Sequence, residues 1–334
     1  MKTMVKAIAV IALMVLAGLG ALYLPGSLSA GQKTPEPMTV GTGPAELSAL
    51  VYLADDQGFF RKNGLNVTIK NYDSALSAVR GMENGEADVS VSTEYPVIAE
   101  IFALKNVSVI GCIDKYQTTY LVGLKDRGIY NRSDIAAKKI GIARGSVGEF
   151  YLGRLLIQNG ISLKDVTLVD LKQSQIPKAL AERDIDAAII WSIDPDMVRE
   201  QFGDNAVIWP AQGGQPTFGV LEVRNTWADG HSPATALFLQ SIDDAGQYSL
   251  SHPSEARAIV QRRLNATDSH MAAAWPAHQY SLSLDQSLVL AMEDEARWMI
   301  ANNLTEEKAV PDFRKYIYTK SLKEIKPGSV NIVG

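Results

Sequence analysis

Apolar and polar positions change register several times along the chain. Behind Lys2 and Lys6, an unbroken apolar run covers residues 7–24, followed by Pro25, Gly26 and the small residues Ser27-Leu28-Ser29-Ala30. A charged start, an apolar stretch and small residues at a cut point mark a secretory leader. Residues 1–29 are therefore expected to form a signal peptide cut after Ser29. The run approaches the ~20 residues that span a bilayer, so an uncleaved anchor over residues 7–24 is the competing expectation. Either outcome places the remainder outside the cytoplasm, periplasmic or at the cell surface. Residues 30–37, polar and broken by proline, read as a linker.

Beyond the linker the pattern alternates between period two and period 3.6. Strands are expected at 38–42, 66–72, 89–92 and 107–113, with helices at 47–57, 75–83 and 95–104 between them. The same order begins again after residue 130. A short helix at Ser133-Asp134 is followed by strands at 139–143, 166–171 and 187–191, with helices through 158, at 176–183 and at 194–202. Such alternation predicts α/β architecture, with mostly parallel sheets flanked by helices. Two β-prone stretches, 119–124 and 217–223, read as a pair of hinge strands joining two lobes. The expected division is 38–121 plus 223–334 for lobe 1 and 122–222 for lobe 2. From Asn225 the apolar spacing is almost purely helical, at 234–250, 253–264 and 284–302, and this tail is expected to pack on lobe 1.

Composition narrows the class. The chain has 334 residues, 46% hydrophobic and 21% charged, with a net charge of −5. About 300 residues beyond the leader exceed one ordinary core, which agrees with two lobes. No basic stripe suggests nucleic acid. Cys112 is the single cysteine, so neither a disulfide nor a thiolate metal cluster is expected, and Cys112 reads as a small buried apolar residue.

Several segments resemble the nitrate/sulfonate/taurine solute-binding family, which has a branch for thiamine-type pyrimidines. They are Tyr72-Asp73-Ser74, Gly81 and Gly85-Glu86-Ala87-Asp88, then Asp134-Ile135 with Lys138-Lys139-Ile140-Gly141-Ile142 and Gly145-Ser146. Ala179-Leu180, Asp184-Ile185-Asp186-Ala187 and Trp191 complete the set. The likeness covers residues 38–225 and weakens beyond. It departs at Ala137 and at Arg183-Asp184, where the family carries glycine. The resemblance implies a type II periplasmic-binding fold whose interlobe cleft closes on a solute like a venus flytrap. It also implies delivery to an ABC permease with its ATPase. A monomer without a cofactor is expected.

In open α/β sheets, ligands bind beyond the carboxyl ends of strands. That points to the loops 43–48, 73–75, 92–95, 145–149 and 191–194. The candidate ligand contacts are Glu46, Ser48, Ser74, Ala75, Thr93, Glu94, Ser146, Val147, Gly148, Trp191 and Asp194, with Tyr120 on the hinge strand. Ser74 and Ser146 precede helices, where backbone N–H groups favour an anion; both also suit plain helix caps. Trp191 suits either stacking on a ligand or core packing. Arg144 is the basic residue of these loops. Glu46, Glu94, Glu149 and Asp194 would disfavour a bare anion and favour an amine-bearing solute if several faced the cleft. Alternatively they stabilise helix N-termini and face water.

Enzymatic readings find little support. His231, His252, His270 and His278 all lie in the helical tail. They follow no metal-binding spacing, and His270 and His278 read as surface or satisfied helix residues. No nucleophile elbow or phosphate loop occurs. A pyrimidine-forming enzyme on this fold is the remote alternative, and a ligand sensor serving a separate signalling partner the nearer one.

Overall fold

Two five-stranded sheets of the same topology organise the chain. Their strands are β1 (Glu36–Thr42), β2 (Leu65–Asn71), β3 (Val89–Thr93), β4 (Val107–Tyr116), β5 (Thr119–Leu124), β6 (Lys139–Ile142), β7 (Thr167–Asp170), β8 (Ala187–Trp191), β9 (Ala206–Pro210) and β10 (Thr217–Arg224). The first sheet has the order β2-β1-β3-β10-β4 and the second β7-β6-β8-β5-β9. In each, three strands run parallel and the fourth is antiparallel to both neighbours. The computed structural model describes residues 34–104, 106–191 and 195–333. The expected leader, residues 30–33 of the expected linker, and Asp194 lie outside the described residues.

Burial explains the strand types. β3 is buried at every position, as a strand covered on both faces must be. The edge strand β2 alternates and exposes much of its polar face. Period-two alternation divides β5: Leu121 joins the large core shared with the first sheet. Val122 and Leu124 join a smaller cluster with Ile176, Leu180 and Ile185 on the opposite face. Cys112 is buried, as expected. The tail helices pack on the first sheet's side, where Phe238 stacks on Phe60 with centroids 5.7 Å apart. Segment 278–283 runs beside β4 through the bridges Tyr116↔His278 and Cys112↔Ser283, which covers an otherwise open edge.

Two features differ from the sequence reading. The stretches read as paired hinge strands are not paired with each other. β5 lies between β8 and β9, and β10 between β3 and β4. All of β10 therefore lies in the first sheet, and the chain crosses between sheets at 117–118 and returns over 211–216. The sequence reading also passed over β9, a short strand ended by Pro210.

One side chain ties the two crossings together. The buried Gln212 accepts the Thr119 N–H through Oε1 at 2.9 Å. Its amide NH₂ faces Tyr116 O at 3.0 Å, and Gln215 O and Thr217 Oγ1 at 3.2 Å. Ala211 N–H adds a bond to Thr119 O. A buried group left without its partner costs ~1–3 kcal/mol.

Ala137 and Arg183, at or beside the departures from the resembled glycine pattern, both have left-handed backbone, with φ of 59° and 65°. Arg183 offsets that strain with hydrogen bonds to Asp126, Leu180 O and Ala181 O. Ala137 has no side chain with which to do so. Ala137→Gly should raise stability by about 0.5–1 kcal/mol, the left-handed penalty less glycine's extra chain entropy. Gln212→Leu should lower it by about 2–3 kcal/mol by stranding Thr119 N–H and Tyr116 O. Urea unfolding curves of the two variants check both values.

Candidate ligand-binding site

The described residues of the loops named from the sequence follow strand ends, and their side chains divide into groups. Ser74 is exposed, and its Oγ accepts the Ser77 N–H at 3.2 Å, capping helix Ala75–Glu83. Ala75 opens that helix, half-buried. Ser48 is buried and its hydroxyl turns back to Gly43 O. Thr93 precedes helix Glu94–Phe102 without capping it. On the second sheet, Ser146 Oγ donates to Ala143 O at 2.7 Å, so it does not cap helix Val147–Gln158. Val147 and Gly148 are buried at the start of that helix. A Cβ on Gly148 would stand 3.0 Å from Ile189 and 3.5 Å from the Trp191 ring. This groups Ser146, Gly148 and Trp191. Tyr120 is not part of the group, because alternation along β5 turns it to the opposite face of the sheet from Leu121.

The lobes meet through three helices, Glu94–Phe102, Val147–Gln158 and Gln286–Ala301. A Cβ on Gly153 would overlap the indole of Trp298, so glycine permits that ring to approach the second-sheet helix. Phe150 meets the same indole edge-on at 5.8 Å, and Tyr95 lies 6.4 Å away. Tyr151 extends the contact, its hydroxyl 3.1 Å from Thr217 Oγ1. Arg154 of the same helix bonds Gln215 Oε1.

Carboxyl groups are concentrated in this interface. Glu94 is fully buried and accepts the Phe218 N–H at 3.0 Å. Glu295 lies beside it, its carboxyl within hydrogen-bond reach of Glu94. Burial pushes Glu94 up to about 8. Burial and then the neighbouring Glu94 push Glu295 well above the carboxylate range. Two adjacent buried carboxyls do not both ionise. Glu149 is held differently, accepting the Gly145 N–H at 3.1 Å with Arg144 3.6 Å away. Arg144 is therefore turned toward an acid.

The sequence reading missed a second cluster, and here it is corrected. His270 is the satisfied helix residue expected, within helix Asp268–Ala274, whereas His278 lies in an irregular buried segment outside the helices. His270 Nε2 meets Glu46 Oε1 at 2.5 Å. Nδ1 of the buried His278 meets Asp114 Oδ2 at 2.5 Å. The His278 ring is sandwiched between Tyr116 and Tyr280, at 4.8 and 5.4 Å, nearly parallel to both. The Glu46 carboxyl is lowered on balance: burial raises it, and the His270 bond with the two imidazoles outweighs that. Asp114 is raised by burial despite His278. Of the residues named from the sequence, Glu46 and Glu94 both act on Tyr116, which places them at one end of the first sheet. Asp114, Tyr116, His278, Tyr280 and Glu295 gave no signal at the sequence level beyond residue type.

A folded-state pKa raised above the ordinary 4.5 means that the folded chain holds the Glu94 proton more tightly than the unfolded chain. That stabilisation is complete below about pH 4.5 and is lost as pH rises through about 8. The unfolding midpoint should fall between pH 5 and pH 8.5, and Glu94→Gln should flatten part of the slope. Glu222, buried and also raised to about 8, should retain the rest. Thermal unfolding across that range measures both.

Known proteins share this architecture and sequence pattern. The family model described as NMT1/THI5 like matches residues 47–256, more than half of the chain. A candidate thiamine biosynthesis protein of Haemophilus influenzae is 27% identical over 224 residues, 65% of this chain and 70% of that one. The taurine-binding periplasmic protein of Escherichia coli is 25% identical over 202 residues, 59% of this chain and 62% of its own. An enzyme also matches, the 4-amino-5-hydroxymethyl-2-methylpyrimidine phosphate synthase of Aspergillus parasiticus. It is 28% identical over 142 residues, 42% of this chain and 41% of that one. Among solved structures, the alkanesulfonate-binding protein SsuA of Xanthomonas axonopodis pv. citri, bound to MOPS, superposes with a TM-score of 0.74. It is 16% identical, covering 85% of this chain and 99% of that one, a likeness of fold. The chain belongs to the NMT1/THI5-like family.

Proposed function

We propose that this chain is the extracytoplasmic solute-binding component of an ABC importer. It captures a small solute of the sulfonate, taurine, nitrate or pyrimidine class between its lobes and passes it to a permease with its ATPase. The observation that carries this reading is the interface itself. Among the described residues the chain passes between two sheets of identical order at 117–118 and 211–216, and buried polar groups such as Glu94, Gln215 and Glu295 lie where the lobes meet. Two rigid units on a narrow connection can open and close around a ligand. The taurine-binding relative and the alkanesulfonate-binding structure support the same role. The leader expected over residues 1–29 would deliver the chain to the periplasm or cell surface. Among the described residues no helix is long and apolar enough to cross a membrane.

Binding without catalysis is the favoured form of this reading, since these two similar proteins are named for what they bind. A catalytic reading draws on the synthase relative and on the buried His278–Asp114 pair. Turnover of a bound pyrimidine, followed by mass spectrometry, would favour it over simple capture.

Small-angle scattering with and without solute tests closure. A solute that binds should shrink the radius of gyration. The same solute at 100 times its dissociation constant should stabilise the chain by about 2.7 kcal/mol. An unchanged radius at saturation overturns the proposal.

A further inference from the structure

Two histidine–carboxylate pairs lie together at the end of the first sheet. Glu46, after β1, uses Oε1 on His270, and Asp114, on β4, uses Oδ2 on His278. Each pair leaves one carboxyl oxygen over. Glu46 Oε2 and Asp114 Oδ1 are buried without a hydrogen-bond partner, and so are His278 Nε2 and the Tyr280 hydroxyl. Glu46, Asp114, His278 and Tyr280 are all more than nine-tenths buried. They come from separate segments yet act on one another: His278 and His270 on Glu46, Glu46 on Asp114, and both acids on Tyr280.

The chemistry of the unused atoms is one-sided. A carboxylate can only accept, so it takes the Nδ1–H of His278, and the neutral ring then carries a lone pair on Nε2. Glu46 Oε2 and Asp114 Oδ1 are thus unfilled acceptors, while the His278 Nε2 lone pair is directed away from Asp114. An ammonium group has three N–H donors and no acceptor. The flanking rings of Tyr116 and Tyr280 also suit a cation. The nearest lysine on β4, Lys115, is engaged 2.6 Å from Asp285. A sulfonate or nitrate presented here would bring acceptors to acceptors.

Resting on the solute-binding reading above, we infer that the captured solute presents a protonated amine to Glu46 and Asp114, beside the Tyr280 hydroxyl. Its acidic end, where it has one, lies elsewhere in the cleft. The two histidines act as positioning residues, each fixing one carboxylate so that its second oxygen faces the amine.

Matched pairs that differ in the amine test this on the unaltered chain. Calorimetry at pH 7 compares taurine with ethanesulfonate and β-alanine with propionate, with nitrate alongside. The amine member of a pair should bind at least about tenfold more tightly than its deaminated partner, as expected for lost charge-assisted bonds. Asp114→Asn and Glu46→Gln should each lower the preference for taurine over ethanesulfonate by about tenfold or more. The matched-pair comparison stands even if a variant folds poorly. Equal or tighter binding of the deaminated partner, or silence of every amine tested, overturns the amine assignment. The solute-binding reading falls only if scattering also shows no contraction with any solute.

Discussion

The side-chain amide of Gln212 fills a gap that backbone pairing leaves open. Among the described residues no strand is shared between the two sheets, so the ladder bonds that hold each lobe cannot hold the lobes to each other. The chain passes between them twice, and at both crossings peptide groups are buried beyond the end of a strand. Gln212 accepts from Thr119 and donates toward Tyr116, Gln215 and Thr217, satisfying groups on both crossings with one planar side chain. Thr217 in turn meets Tyr151 of the second-sheet helix. The geometry of the interface is built outward from this junction.

Because the junction is narrow, the rest of the interface must be made by side chains from helices. Trp298 against Gly153 is the apolar part and depends on the absence of a Cβ. The polar part is a set of buried carboxyls whose charge is managed in three ways. Glu94 and Glu295 are pushed toward their neutral forms by burial and proximity. Glu149 is held by a backbone N–H with Arg144 nearby. Glu46 and Asp114 each face an imidazole. Counting acids in the sequence therefore overstates the negative charge of this region, since several of these groups are neutral or paired at neutral pH.

That distinction bears on the choice of solute. The relatives include a taurine binder and, by fold, an alkanesulfonate binder. A sulfonate alone would meet few free donors beside Glu46 and Asp114. A solute carrying an amine as well as an acid would meet complementary groups there. On the proposed reading, chemical complementarity at one end of the cleft separates members of a single solute class.

Local pattern determined a good deal of this protein. Strands 119–124 and 187–191 and helices 75–83 and 253–264 were read with the bounds the structure shows, because side-chain period depends only on neighbours along the chain. The repeated strand–helix order was enough to foresee two similar α/β lobes. Pairing was not legible: β5 and β10 have the same β-prone composition whether they bond each other or separate sheets. Nor was most of the site. Glu46 meets His270 across 224 residues and Asp114 meets His278 across 164, and no local signal links them. His278 sits in an irregular segment whose position is set by its bridge to Tyr116 on β4. The sequence alone determined which elements form, since that follows from short-range periodicity. Only the tertiary structure decided which acids find a histidine, a proton or no partner, because that depends on burial and on neighbours distant in the chain.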